Sequence, residues 1–221
     1  MPQNLNKMDK NSPCYYCHAG CCRNYVLTIK IWDAYKIVKN TNYHFDDFVL
    51  YMNHEIAGIP IENRNHFLQF SEDPFVYYSM NLKRENSELI DGPKCVFLKE
   101  EAREDEEFPD NISKTHWGRK VKSWCSIYEH RPLMCNMYPF GWNGANIEQK
   151  SRDVNDNFCP DDWKNYNIKD ENKLKILNDM AFSNFISTSE ANLLNEWNKT
   201  EKKKENFEQF VVNYFDNLFK K

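Results

Sequence analysis

The chain has 221 residues, 41% hydrophobic and 15% aromatic, enough to bury one good-sized core and to favour a single domain with decorations. Lys+Arg 29 against Asp+Glu 33, a net charge of -4 and a pI near 5.9 leave no broad basic face for a phosphate backbone, so nucleic acid is not an expected partner. A mean hydropathy of -0.82, no apolar run of membrane-spanning length and the polar opening "MPQNLNKMDKNSP" argue against a membrane and place the expected compartment in the cytoplasm.

In chain order, residues 1–13 read as a flexible polar tail, followed by "CYYCHAGCC" from Cys14 to Cys22. "YVLTIKI" (Tyr25 to Ile31) is β-branched and alternating, which predicts a strand, and Asp33 is placed to cap a helix through "AYKIVKN". "FDDFVLYMNHEI" (Phe45 to Ile56) spaces its apolar residues helically, whereas "HFLQF", "FVYYSMNL" and "CVFLK" (Cys95 to Lys99) read as strands. The acidic, proline-containing run that follows predicts a solvated loop insertion over 100–118. From Asp170 onward the pattern is helical, giving two C-terminal helices separated by the charged "NKTEKKK"; the aromatic spacing of "FEQFVVNYFDNLF" predicts a core face.

The eight cysteines stand at 14, 17, 21, 22, 95, 125, 135 and 159. In a reducing compartment such a set points to metal or redox chemistry rather than to disulfides. Cys14 and Cys17 form a C-x2-C pair, able to meet one tetrahedral ion at about 2.3 Å per zinc–sulfur bond. Cys21 and Cys22 are adjacent, and in an extended segment would face opposite ways, serving two centres or leaving one sulfur unbound. Eight thiols fill two four-cysteine sites, or one four-iron cluster with four to spare. A centre drawing on Cys95, Cys125, Cys135 or Cys159 would tie distant segments together, making the metal part of the core.

"CSIYEHRPLMCNMYPF" (Cys125 to Phe140), with C-x2-C-x3-C-C at the start and "DGPKCVFL" between, resembles the YkgJ-like cysteine-cluster family, described as zinc- or iron-chelating and marked by eight cysteines. The resemblance covers roughly residues 14–160 and implies that Cys14, Cys17, Cys21, Cys22, Cys95, Cys125, Cys135 and Cys159 are the metal ligands. Two departures stand out: Asn136 occupies the place where an arginine usually follows the cysteine, and the acidic run lengthens the Cys95–Cys125 interval.

The fold expected is α+β: a small irregular metal-stabilised core of short strands and helices over 14–165, with a C-terminal helical extension over 166–221 packed on it. Beside the ligands, Arg131 is placed to hydrogen-bond metal-bound sulfurs and Tyr138 to pack over the centre. Pro132 fixes the approach of Cys135. Glu129 is a weaker candidate for chemistry and His18 an alternative ligand; His44, His54, His66, His116 and His130 show no metal-binding spacing. With six glycines and no phosphate-cradling motif, nucleotide binding is not expected, and C-x2-C-x3-C runs in the reverse order to the radical S-adenosylmethionine motif.

Two functions follow. One is a zinc- or iron(–sulfur)-binding protein whose centre organises the fold, with metal ions and a protein or peptide as the partners considered. The other, by analogy with the longer flagellin lysine methylases, is an iron or iron–sulfur enzyme modifying protein or peptide side chains.

Overall fold

The computed structural model describes residues 19–53, 55, 68–102, 121–138, 140–142, 147–149 and 170–220. The fold is α+β, with short antiparallel strand pairs and helices. Its internal contacts divide the chain into two units: Met1–Tyr25, Arg84–Tyr128 and Met137–Ile176 form one; Val26–Lys83, Glu129–Asn136 and Leu177–Lys221 form the other.

The first unit contains helix α1 (Gly20–Asn24) and three hairpins, β3 (Arg84–Asn86) with β4 (Pro93–Cys95), β5 (Leu98–Ala102) with β6 (Val121–Cys125), and β7 (Phe140–Trp142) with β8 (Ile147–Gln149). Gly92, at φ 112, makes the turn before β4 in a conformation that disfavours a side chain, and its carbonyl accepts from the Ser87 N–H at 3.1 Å. "CVFLK" is not one strand: β4 ends at Cys95, the chain turns, and β5 begins at Leu98. The turn buries Phe97 and is closed by Ser126 N–H donating to the Phe97 carbonyl at 2.8 Å. The acidic stretch begins as strand through Ala102, paired with β6, so its first residues are not loop; 103–120 lie outside the described residues.

The second unit is built on α2 (Ile31–Asn40), α3 (Phe45–Phe48), the hairpin β1 (Val49–Asn53) with β2 (Tyr78–Leu82), and α6 (Phe207–Phe219). Helix α5 (Asp170–Trp197) contributes its residues from Leu177 onward here and those through Ile176 to the first unit. α2 buries Ile31, Ala34, Tyr35 and Ile37, the three-to-four residue spacing of one helix face, and Asp33 accepts from the Lys30 N–H at 3.2 Å to hold its first turn. α6 presents Phe207, Val211 and Phe215 at i, i+4 and i+8, all fully buried, so the aromatic run is core as expected. The Trp32 ring lies 5.2 Å from Phe215, and Tyr35 Oη donates to Asp216 at 2.8 Å, fastening α2 to α6.

Three expected elements differ, the first being "HFLQF", whose described residues form a single bridge from Leu68 to Tyr78 in place of a strand. "FDDFVLYMNHEI" folds as a four-residue helix followed by β1, because Val49, Leu50 and Tyr51 suit a pleated surface and pair with Leu82, Asn81 and Met80. "YVLTIKI" forms no full strand; Leu27 and Ile29 make backbone bonds to Leu82 and Met80, with one bridge at Thr28–Asn81, before Ile31 opens α2.

Candidate metal centre

Cys21 and Cys22 both lie on α1, a single helical turn. Ala19, before it, adopts a left-handed conformation at φ 58, and its carbonyl accepts from the Cys22 N–H at 2.9 Å. A non-glycine residue there is strained by about 1 kcal/mol, and it turns the chain sharply into the cysteine pair. Helical rather than extended backbone corrects the expectation that the two thiols face opposite ways. Consecutive helical side chains diverge by about 100°, and the two sulfurs stand 4.0 Å apart. Two sulfurs on one tetrahedral zinc, at about 2.3 Å each, would be separated by about 3.8 Å. The pair therefore fits one ion.

α1 packs on β4, which ends in Cys95. Cys95 is buried; Cys21, Cys22 and Cys125 are half-buried. The Cys95 thiol is pushed up to about 11, mainly by burial, with the nearby Cys125 and Cys21 adding to the rise. Cys21 and Cys125 therefore lie within electrostatic reach of Cys95, and a cation near them would reverse the repulsion and favour thiolates. Cys125 closes β6, opposite Leu98 on β5.

Around these thiols stand buried hydrogen-bond donors that fit such a centre. Arg84 pairs with Cys95 across the β3–β4 ladder, and its positive charge favours the Cys95 thiolate. Its Nε, with the hydroxyls of Ser123 and Ser126 flanking Cys125, is buried without a hydrogen-bond partner among the described residues. Buried donors of this kind are costly unless an acceptor from outside the described residues meets them.

Among the described residues no group of three or more His, Cys, Asp or Glu side chains is placed to hold a metal ion. Cys14, Cys17, His18 and Cys159 lie outside the described residues. Tyr138 belongs to the first unit, with its ring 5.9 Å from that of Tyr25.

Cys135 and Arg131 belong to the second unit. Cys135 lies on α4 (Leu133–Met137), and the segment leading into it is held from α2. Lys36 Nζ donates to the Arg131 carbonyl at 2.7 Å and the buried Asp33 accepts from the Leu133 N–H at 2.9 Å. Arg131 Nε donates to Asn136 Oδ1, so the residue that departs from the family pattern is the one that orients this guanidinium. Residue order singled out none of Arg84, Ser123, Ser126 or Lys36, and gave Asp33 only a helix-capping role. Ser123 and Ser126 could have been suspected from their position around Cys125; the others act across distances in sequence that no local motif marks.

Among the described residues no helix is long and apolar enough to cross a membrane. No curated protein and no solved structure matches the chain. A family model does: residues 13–160 match CxxCxxCC, described as a "putative zinc- or iron-chelating domain", which supports metal binding. With the cysteine spacing, the paired sulfurs of α1 and most of its length accounted for by that match, the chain belongs to the CxxCxxCC family.

Proposed function

We propose that this protein chelates zinc or iron through its eight cysteines, in the cytoplasm, where thiols stay reduced. Cys21, Cys22, Cys95 and Cys125 form the nucleus of the centre, with Cys14, Cys17, Cys135 and Cys159 completing the ligand set. The observation that carries the reading is the 4.0 Å separation of the Cys21 and Cys22 sulfurs on one helical turn, beside Cys95 and Cys125. An all-thiolate donor set is the one that zinc and iron–sulfur centres prefer. Metal bound there supplies a cross-link between α1, β4 and β6, and structural zinc contributes roughly 10–16 kcal/mol in small finger peptides.

The test is anaerobic purification followed by elemental analysis, acid-labile sulfide determination and thiol titration. At least one zinc or iron per chain is expected, with the bound thiols protected until a chelator is added. A folded protein holding neither metal, whose eight thiols all react at once, would overturn the reading.

A further inference from the structure

One carboxylate touches the cysteine-bearing stretches from several sides. Glu100, on β5, accepts a hydrogen bond from Arg23 Nη2, and Arg23 directly follows the Cys21–Cys22 pair on α1. Its other oxygen lies 2.7 Å from the ammonium of Lys94, the residue before Cys95. In the β5–β6 ladder Glu100 is paired with Ser123, two residues before Cys125. Cross-strand partners share a face, as do residues two apart on a strand, so Glu100, Ser123 and Cys125 share one face of the hairpin. Ser87 Oγ lies 3.0 and 2.9 Å from the two carboxylate oxygens. The Glu100 side chain is 3% exposed, that of Arg23 7% and that of Lys94 11%.

We infer that Glu100 is a positioning residue for the thiol cluster: through Arg23 and Lys94 it fixes the backbone that presents Cys21, Cys22 and Cys95 beside the face carrying Cys125. The inference rests on the chelating role proposed above. Its physical basis is the cost of buried charge. With the carboxylate present, two cations are held in a largely buried site by a shared counter-ion; without it, Lys94 keeps Glu85 at 3.5 Å and swings toward it, and Arg23 loses the carboxylate that fixes its guanidinium. Either movement begins at a residue covalently next to a ligand cysteine.

Position and charge predict opposite signs. A centre of several thiolates around one divalent ion is anionic, so removing a neighbouring negative charge should tighten it if Glu100 acted by charge alone. Removing a strut should loosen it, and loss of an outer partner typically costs 10–100-fold in metal affinity.

The full chain and its Glu100→Gln variant would be loaded with zinc or cobalt(II). Transfer to a chelator, the cobalt–thiolate charge-transfer band and far-ultraviolet circular dichroism would then be followed. Expected for Glu100→Gln are at least about tenfold faster metal loss and a shifted band, with the secondary structure retained. Should Glu100→Gln fail to fold, Lys94→Met, which removes one strut only, is read in the same way and is expected to release metal several-fold faster. Equal or slower release with an unchanged band, in whichever variant is folded, overturns this inference while leaving chelation standing. A wild-type chain that takes up no metal overturns both.

Discussion

The carboxylate of Asp33 on α2 accepts a hydrogen bond of 2.9 Å from the backbone N–H of Leu133, one hundred residues away in sequence, at the first position of α4. Asp33 is fully buried and also accepts from the Lys30 N–H, with Lys36 Nζ 3.8 Å away. Asp33→Ala leaves two buried N–H groups without their acceptor, an expected loss of about 2–4 kcal/mol. Asp33→Asn keeps one oxygen and should lose about half as much. Urea unfolding of the two variants against wild type measures both; equal stability of all three would show that the clamp contributes nothing.

The helical pairing of Cys21 and Cys22 gives a ligand test. Cys21→Ser and Cys22→Ser are each expected to weaken metal binding by more than the roughly 10–100-fold typical of outer partners. Elemental analysis after dialysis against a chelator checks this. Full retention by either variant would mean that the two sulfurs do not share an ion.

Glu190 on α5 accepts from the Trp32 N–H at 2.9 Å, near the start of α2, and burial pushes its carboxyl up from 4.5 to about 7 despite that bond. A raised acid favours the protonated folded state, so its stabilising contribution is complete below about pH 4.5 and disappears as pH rises through about 7. Glu190→Gln, neutral throughout, removes this dependence. The stability of wild type relative to the variant should therefore fall by about 3 kcal/mol between pH 4 and pH 8, leaving Glu190→Gln the more stable at the upper end. Paired denaturant titrations at the two pH values decide it, and a constant difference would refute it.

Trp197 ends α5 at 1% exposure, its indole N–H donating to the Gln69 carbonyl at 3.0 Å and its ring 5.0 Å from Phe207. Trp197→Ala should cost about 3–5 kcal/mol, from lost contacts and the cavity left behind. Trp197→Phe, which mainly loses the hydrogen bond, should cost about 1–2 kcal/mol. Both are read from equilibrium unfolding; equal costs would show the indole N–H to be irrelevant.

What the sequence carried plainly was periodic or local. The two helices from Asp170 onward, the buried spacing of Phe207, Val211 and Phe215, and the cysteine spacing that marks the family were all legible from residue order. What it concealed depended on partners far away. Val49 to Asn53 sit in a helical pattern but become strand because β2 supplies a ladder. Glu100 looked like the first residue of a solvated acidic run, whereas it is the third residue of β5, paired with Ser123 on β6. The adjacent cysteines misled for a related reason: their relation to one ion depends on whether the backbone is extended or helical, and a five-residue helix leaves little periodic signal.

α2 and α6 are joined by the Tyr35–Asp216 hydrogen bond across 181 positions. During synthesis Trp32 and Tyr35 therefore leave the ribosome well before the surface that covers them has been made. At about 5–20 residues per second, these rings spend on the order of ten seconds or more uncovered. That interval makes the second unit's completion a late event, governed by long-range closure rather than by local helix formation.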